Sequence, residues 1–156
     1  MATTELNSTS AARNVRMMRL AFIGFGILLM ILAYKLPTQT LSTTSASMEL
    51  VITLVALVDV LIGFLVPRYI TRAAVRTSQT NPQVSPQKGW MTGCILGLAF
   101  FQSCNLFGFT LHVLGARTPF VALLFTVGTL SMIVWNQGKP PVVVQNAVLQ
   151  RQVAEH

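Results

Sequence analysis

The sequence predicts an all-α fold: a membrane-spanning four-helix bundle of two antiparallel helical hairpins, with both termini cytoplasmic. Three observations carry this. Four long apolar runs divide the chain, Leu20–Tyr34, Leu50–Val66, Met91–Leu114 and Phe120–Trp135. A helix crossing a hydrocarbon core of about 30 Å needs roughly 20 mostly apolar residues, and about 17 is the lower limit. Each run reaches that length with its flanks. Composition agrees, since apolar residues make up 53% of the chain and charged residues 10%, against roughly 25% charged in soluble domains. Finally, the cations are unevenly placed. Arg13, Arg16 and Arg19 precede the first run, Arg68, Arg72, Arg76 and Lys88 lie between the second and third, and Lys139 and Arg151 follow the fourth. Only Lys35 and Arg117 fall in the other two gaps. Cytoplasmic loops carry the Lys/Arg excess, which orients the chain. The net charge of +7 is therefore loop bias, and no nucleic-acid partner is expected.

The elements follow in order. Residues 1–18 are basic and rich in Ser and Thr at their start, and are expected to be a disordered lead. A transmembrane domain follows over 19–136, with helices at about 19–36, 48–66, 90–114 and 119–135. The first run is longer than a signal-peptide core. The small-residue stretch Ser42–Ser47 lies well beyond it, so this helix is retained. Pro37–Ser47 is uncharged and reads as an outer turn. The inner connection Pro67–Gly89 is the longest. Its part Arg68–Arg76 suits a basic helical extension, and Ser78–Gly89, with Pro82, Pro86 and Gly89, suits irregular structure. Gly115 is placed to close the third helix and Pro119 to open the fourth. The cytoplasmic tail, 137–156, begins with Pro140 and Pro141 and continues as a short amphipathic piece. Short turns between neighbours give two antiparallel hairpins.

The third helix is unusual. At about 100° per residue, Gly93, Cys94, Gly97, Cys104, Asn105, Gly108, His112 and Gly115 share one broad face. Leu96, Phe100, Leu106, Phe107 and Leu111 lie mostly opposite. Gly93 with Gly97, and Cys104 with Gly108, form small-xxx-small pairs that let helix backbones approach closely in lipid. That face is expected to be the packing face. Its polar neighbours Gln102, Asn105 and His112, with Asp59, make a candidate intramembrane polar site. Asp59 interrupts the second run at LVALVDVLIGF. A carboxylate at the centre of a spanning helix costs roughly 2.5–3.5 kcal/mol on insertion scales, and such groups face the interior or mark function. It shares a stripe with Ala56 and Gly63. Arg19, or a polar group of a neighbouring helix, is the expected partner. Glu49, His112 and Arg117 are expected at similar depth near the outer surface.

Several chemistries are set aside. The two cysteines, Cys94 and Cys104, are about 15 Å apart along one helix, beyond disulfide reach. No C-x-x-C motif is present. Axial haem ligation has only His112 and the terminal His156 to draw on. No H-E-x-x-H, Walker loop or G-x-S-x-G appears. No catalytic residue, cofactor or metal is expected, so the chain reads as a non-enzyme.

The stretch Ala99–Gly115, AFFQSCNLFGFTLHVLG, resembles the third helix of a group of uncharacterised small four-helix membrane proteins of bacteria. Their pattern is A-x-x-E-S-x-x-L-x-G-x-x-L-x-x-L-G after a basic inner loop. Ala99, Ser103, Leu106, Gly108, Leu111, Leu114 and Gly115 match it, and Gln102 replaces the acid. The Pro67–Arg68 step and Pro119 are also similar. The resemblance covers about half the chain and implies a multi-pass protein of a bacterial inner membrane. Members are sometimes likened to the proteolipid subunit c of rotary ATPases. Here the first hairpin has only Gly24 and Gly26 on its first helix and an uncharged outer turn, the wrong orientation for that role. The expected function is an accessory or structural subunit of a larger membrane complex. The expected partners are the lipid bilayer and other membrane proteins or a second copy. A proton- or ion-conducting bundle using Asp59 is the alternative.

Overall fold

The computed structural model describes residues 2–36, 46–81, 83–135 and 142–154. They form five helices: α1 (Ala2–Lys35), α2 (Ala46–Thr80), α3 (Pro86–Val113), α4 (Thr118–Val134) and α5 (Val142–Ala154). No strand occurs among the described residues. Three helices are long and apolar enough to cross a membrane, Ser10–Lys35 within α1, α2 and α3. The apolar α4 is shorter, at 17 residues. The expected outer turn Pro37–Ser47 falls mostly outside the described residues, as does the start of the tail.

The helices are longer than the apolar runs alone imply. The lead over 1–18, expected to be disordered, enters α1 at Ala2. Ala11 and Val15, one turn apart, are buried there, and packing rather than propensity sets most helix ends in proteins. The second helix passes beyond its expected spanning part, 48–66, through Pro67 and the Arg68–Arg76 stretch suited to a basic extension, and ends at Thr80. A proline inside a helix costs about 3 kcal/mol. The continuation repays this by burying Pro67, Thr71 and Val75, each four residues apart. Glycines on α3 receive that face. A Cβ at Gly93 would stand 3.0 Å from the Pro67 Cα, and one at Gly89 would overlap the Ala74 side chain. Thr71 Oγ1 donates to the Pro67 carbonyl at 2.6 Å. Helix α3 correspondingly starts at Pro86, four residues before the expected 90.

The chain groups into two compact units. The first comprises Met1–Met18, Phe64–Gly97 and Gln137–His156, and the second Arg19–Gly63 and Leu98–Asn136. In the second unit, α3 ends in a Schellman turn. The amide of Gly115 donates to His112 O at 3.0 Å, and that of Ala116 to Leu111 O at 2.9 Å. This motif needs a left-handed residue at its corner, and Gly115 supplies it with φ 73°. Pro119 then sits in the first turn of α4, where its missing N–H costs nothing. Helix α4 buries one stripe, Val121, Leu124, Phe125, Gly128, Ser131 and Met132.

Candidate functional site

The polar candidates Asp59, Gln102, Asn105 and His112 all lie in the second unit. Asn105 is fully buried and Gln102 nearly so. They lie three residues apart on α3, so their side chains meet, and Asn105 Nδ2 donates to Gln102 Oε1 at 3.3 Å. Glycines flank the Asn105 amide. A Cβ at Gly26 of α1 would stand 2.6 Å from Asn105 Nδ2, and one at Gly128 of α4 would stand 2.5 Å from Asn105 Oδ1. No larger residue fits at either place with the amide where it is. Asn105 thus joins α3 to α1 and α4 at one level. Asn105 Oδ1 and Gln102 Nε2 keep no hydrogen-bond partner.

Asp59 meets Ser103, one residue from Gln102 on α3. Ser103 Oγ lies 2.8 Å from Asp59 Oδ2, and 2.7 Å from its own-helix acceptor Phe100 O. The hydroxyl has a single hydrogen to share between them. Ser103 is thus the polar group of a neighbouring helix that was one of the two expected partners; the other, Arg19, donates its Nη2 to Ile133 O at 2.6 Å, in the last turn of α4 where orphan carbonyls attract cations. Ser103 stands in the sequence as a match to the α3 pattern and not among the polar candidates, because a serine back-bonded to its own helix is ordinary. The signal was present in its register, one step from Gln102. Nearby, Gly63 accommodates Phe101, whose ring carbons approach its missing Cβ to 2.7 Å.

These contacts set the outcome at Asp59. Asn retains an acceptor and adds a donor for Ser103 Oγ, so Asp59→Asn is expected to melt within a degree or two of wild type. Asp59→Leu removes the bond but leaves Ser103 on Phe100 O, so no buried donor is orphaned. Its cost should stay at or below about 1 kcal/mol. Thermal unfolding of the purified variants checks this; a large loss in Asn would show an unsuspected counter-charge.

At the other end of these helices, Glu49 is 2% exposed although it is an acid. Its Oε1 accepts from the backbone N–H of Arg117 at 3.1 Å, and Arg117 Nε stands 3.8 Å from Oε2. Arg117 is the N-cap residue of α4 and has no side-chain cap of its own. Glu49 thus does across space what a capping-box glutamate does within one helix. It also lies in the first turn of α2, so its charge faces the positive ends of two helix dipoles. His112, expected at similar depth, places Nε2 3.3 Å from Leu36 O. A carbonyl only accepts, so the Nε2–H tautomer makes this bond.

The packing face of α3 falls as follows. Gly93, Cys94, Gly97, Cys104, Asn105 and Gly108 are buried, and Leu96 and Leu106 are exposed. Gly108 lets the Leu124 and Phe125 side chains approach to 3.2 and 3.4 Å of its missing Cβ, and Cys104 Sγ bonds to Leu124 O at 3.4 Å. Leu111 departs from the expected pattern, being buried at the helix end, where the Schellman turn folds over it. Of the sequence candidates, Gln102 and Asn105 come together, Asp59 joins Ser103, and His112 stands apart.

Comparison with protein families, with characterised proteins and with solved structures finds no match.

Proposed function

We propose that this chain is a multi-pass protein of a bacterial inner membrane, crossing four times with both termini cytoplasmic. It serves as a non-enzymatic accessory or structural subunit of a larger membrane complex. Charge supports the orientation. The unit containing the N-terminus, the α2–α3 connection and the tail carries eight of the eleven cations, all but Arg19, Lys35 and Arg117. With α4 about 26 Å long at 1.5 Å per residue, a fourth crossing is short but feasible.

One observation carries the functional reading. Three polar groups of the second unit stand at junctions between helices: Asn105 between two glycines, Asp59 on Ser103, Glu49 on the start of α4. What the apolar runs of α1 and α2 offer outward is apolar. Leu28, Ile31 and Leu32 on α1 and Leu54, Val58 and Leu61 on α2 are all exposed. Such faces suit lipid and the apolar faces of other membrane helices. Gentle extraction and affinity isolation of the tagged chain should yield a fixed set of membrane partners at constant stoichiometry. Recovery of the chain alone under conditions that preserve other membrane complexes would contradict the proposal.

The half-buried position of Asp59, bridged by a hydroxyl to a second acceptor, favours proton or ion passage as the second reading. Vesicles containing the isolated chain would then show a flux abolished equally by Asp59→Asn and Asp59→Leu, since an amide cannot titrate.

A further inference from the structure

The continuation of α2 through Pro67 places three arginines in register. Arg68, Arg72 and Arg76 are exposed and four residues apart, so they form one column about 12 Å long. A stripe about 100° round the helix, Pro67, Thr71 and Val75, is buried, which fixes the backbone that carries the column. Leu65 is 54% exposed and Tyr69 77% exposed. On a helix Leu65 neighbours both Arg68 and Tyr69, and Tyr69 neighbours Arg72. Along one exposed face leucine is therefore followed by Arg68 and Tyr69 at one level, and then by the guanidinium groups of Arg72 and Arg76. The two acids with described side chains are occupied elsewhere, Glu49 by Arg117 and Asp59 by Ser103. No acid with a described side chain neutralises the column.

We propose that this column is a binding site for an anionic phospholipid of the inner leaflet. The acyl chain lies along Leu65, the interfacial ring of Tyr69 marks the ester level, and Arg68 and Arg72, with Arg76 beyond them, take the headgroup phosphate. Tyrosine belongs at the membrane–water boundary, and the planar fork of arginine matches phosphate oxygens in a bidentate way. The amphiphilic order of the face argues for a lipid over a free anion, because a phosphate ion needs no leucine. The site rests on the membrane reading above. It goes beyond it by naming a ligand.

The test is native mass spectrometry of the full-length chain, in detergent with equal amounts of phosphatidylglycerol and phosphatidylcholine. Wild type should retain phosphatidylglycerol preferentially. The triple variant Arg68→Gln/Arg72→Gln/Arg76→Gln should lose that preference by on the order of tenfold or more, given roughly fivefold per cation near an anionic surface. Lys88→Gln should keep it. Because the three side chains are exposed, the triple variant should melt as wild type does in phosphatidylcholine. Equal retention of the two lipids by wild type would overturn the proposal, as would an unchanged preference in the triple variant. Displacement of the bound lipid by millimolar inorganic phosphate would also overturn it, because the site would then be one for the free anion. In each case a cysteine at position 80, labelled only from the cytoplasmic side, would leave the membrane topology standing.

Discussion

Gly26→Leu is expected to destroy the folded protein, while Gly24→Leu, two residues earlier on the same helix, is tolerated. Nothing lies within 4 Å of a Cβ at Gly24, but at Gly26 the Asn105 amide stands 2.6 Å away. A side-chain tip can often retreat from such an overlap. This one cannot, because Asn105 Oδ1 already stands 2.5 Å from the position of a Cβ on Gly128. Relief requires α1 to move off α3. Overpacking a buried site costs typically 1–3 kcal/mol and sometimes more, and a leucine here adds three carbons beyond the Cβ. Gly24→Leu adds an exposed apolar residue and removes a helix-weakening glycine, so its melting temperature should be equal or higher. The milder Gly26→Ala should be rescued in part by Asn105→Ala, which frees the space; the double variant then melts above the sum of its singles. Equal damage at residues 24 and 26 would mean that α1 is rotated from the orientation described.

Glu49→Ala should be the next most damaging change, at about 2–3 kcal/mol. A hydrogen bond to a charged group contributes roughly 1.5–3 kcal/mol, and a carboxylate at a helix start adds about 0.3–1 kcal/mol. Glu49 serves the starts of α2 and α4 together. Glu49→Gln keeps the acceptor for the Arg117 N–H and loses only the charge, so it should fall between wild type and Ala. Arg117→Ala should be mild. Its side chain is 71% exposed and its backbone N–H survives the substitution; exposed ion pairs contribute little. A loss for Arg117→Ala as large as that for Glu49→Ala would show that the ion pair, and not the backbone bond, holds this corner.

Periodicity and turn chemistry were legible in the sequence. Four apolar runs appear as three long apolar helices and a shorter fourth. Gly115 and Pro119 occupy the roles their chemistry suggests, since only a glycine is comfortable at φ 73°. The small face of α3 was legible because glycine and cysteine recur at helical spacing. Helix ends were harder to read. Arg68–Arg76 suits a basic extension of the second helix despite Pro67, but where it ends was not legible: the glycines at 89 and 93 on α3 receive it, and that distant match leaves no local trace. Residues 2–18 suggested disorder by composition, whereas Ala11 and Val15 find a packing surface. Partner choice was also hidden. The sequence leaves Asp59 to Arg19 or to a polar group of a neighbouring helix; the geometry selects the second, Ser103, and gives Arg19 to the carbonyl of Ile133. Which of two partners an acid meets depends on helix rotation and depth, and no spacing rule within one helix encodes either.

Membrane topology tests the central claim most directly. Single cysteines at positions 42, 117, 80 and 145 can be labelled in intact cells with a membrane-impermeant maleimide, against a background in which Cys94 and Cys104 are buried. Positions 42 and 117 should react from outside, and positions 80 and 145 only after the membrane is opened. Labelling of position 80 from outside intact cells would contradict the four-crossing arrangement with its cytoplasmic termini.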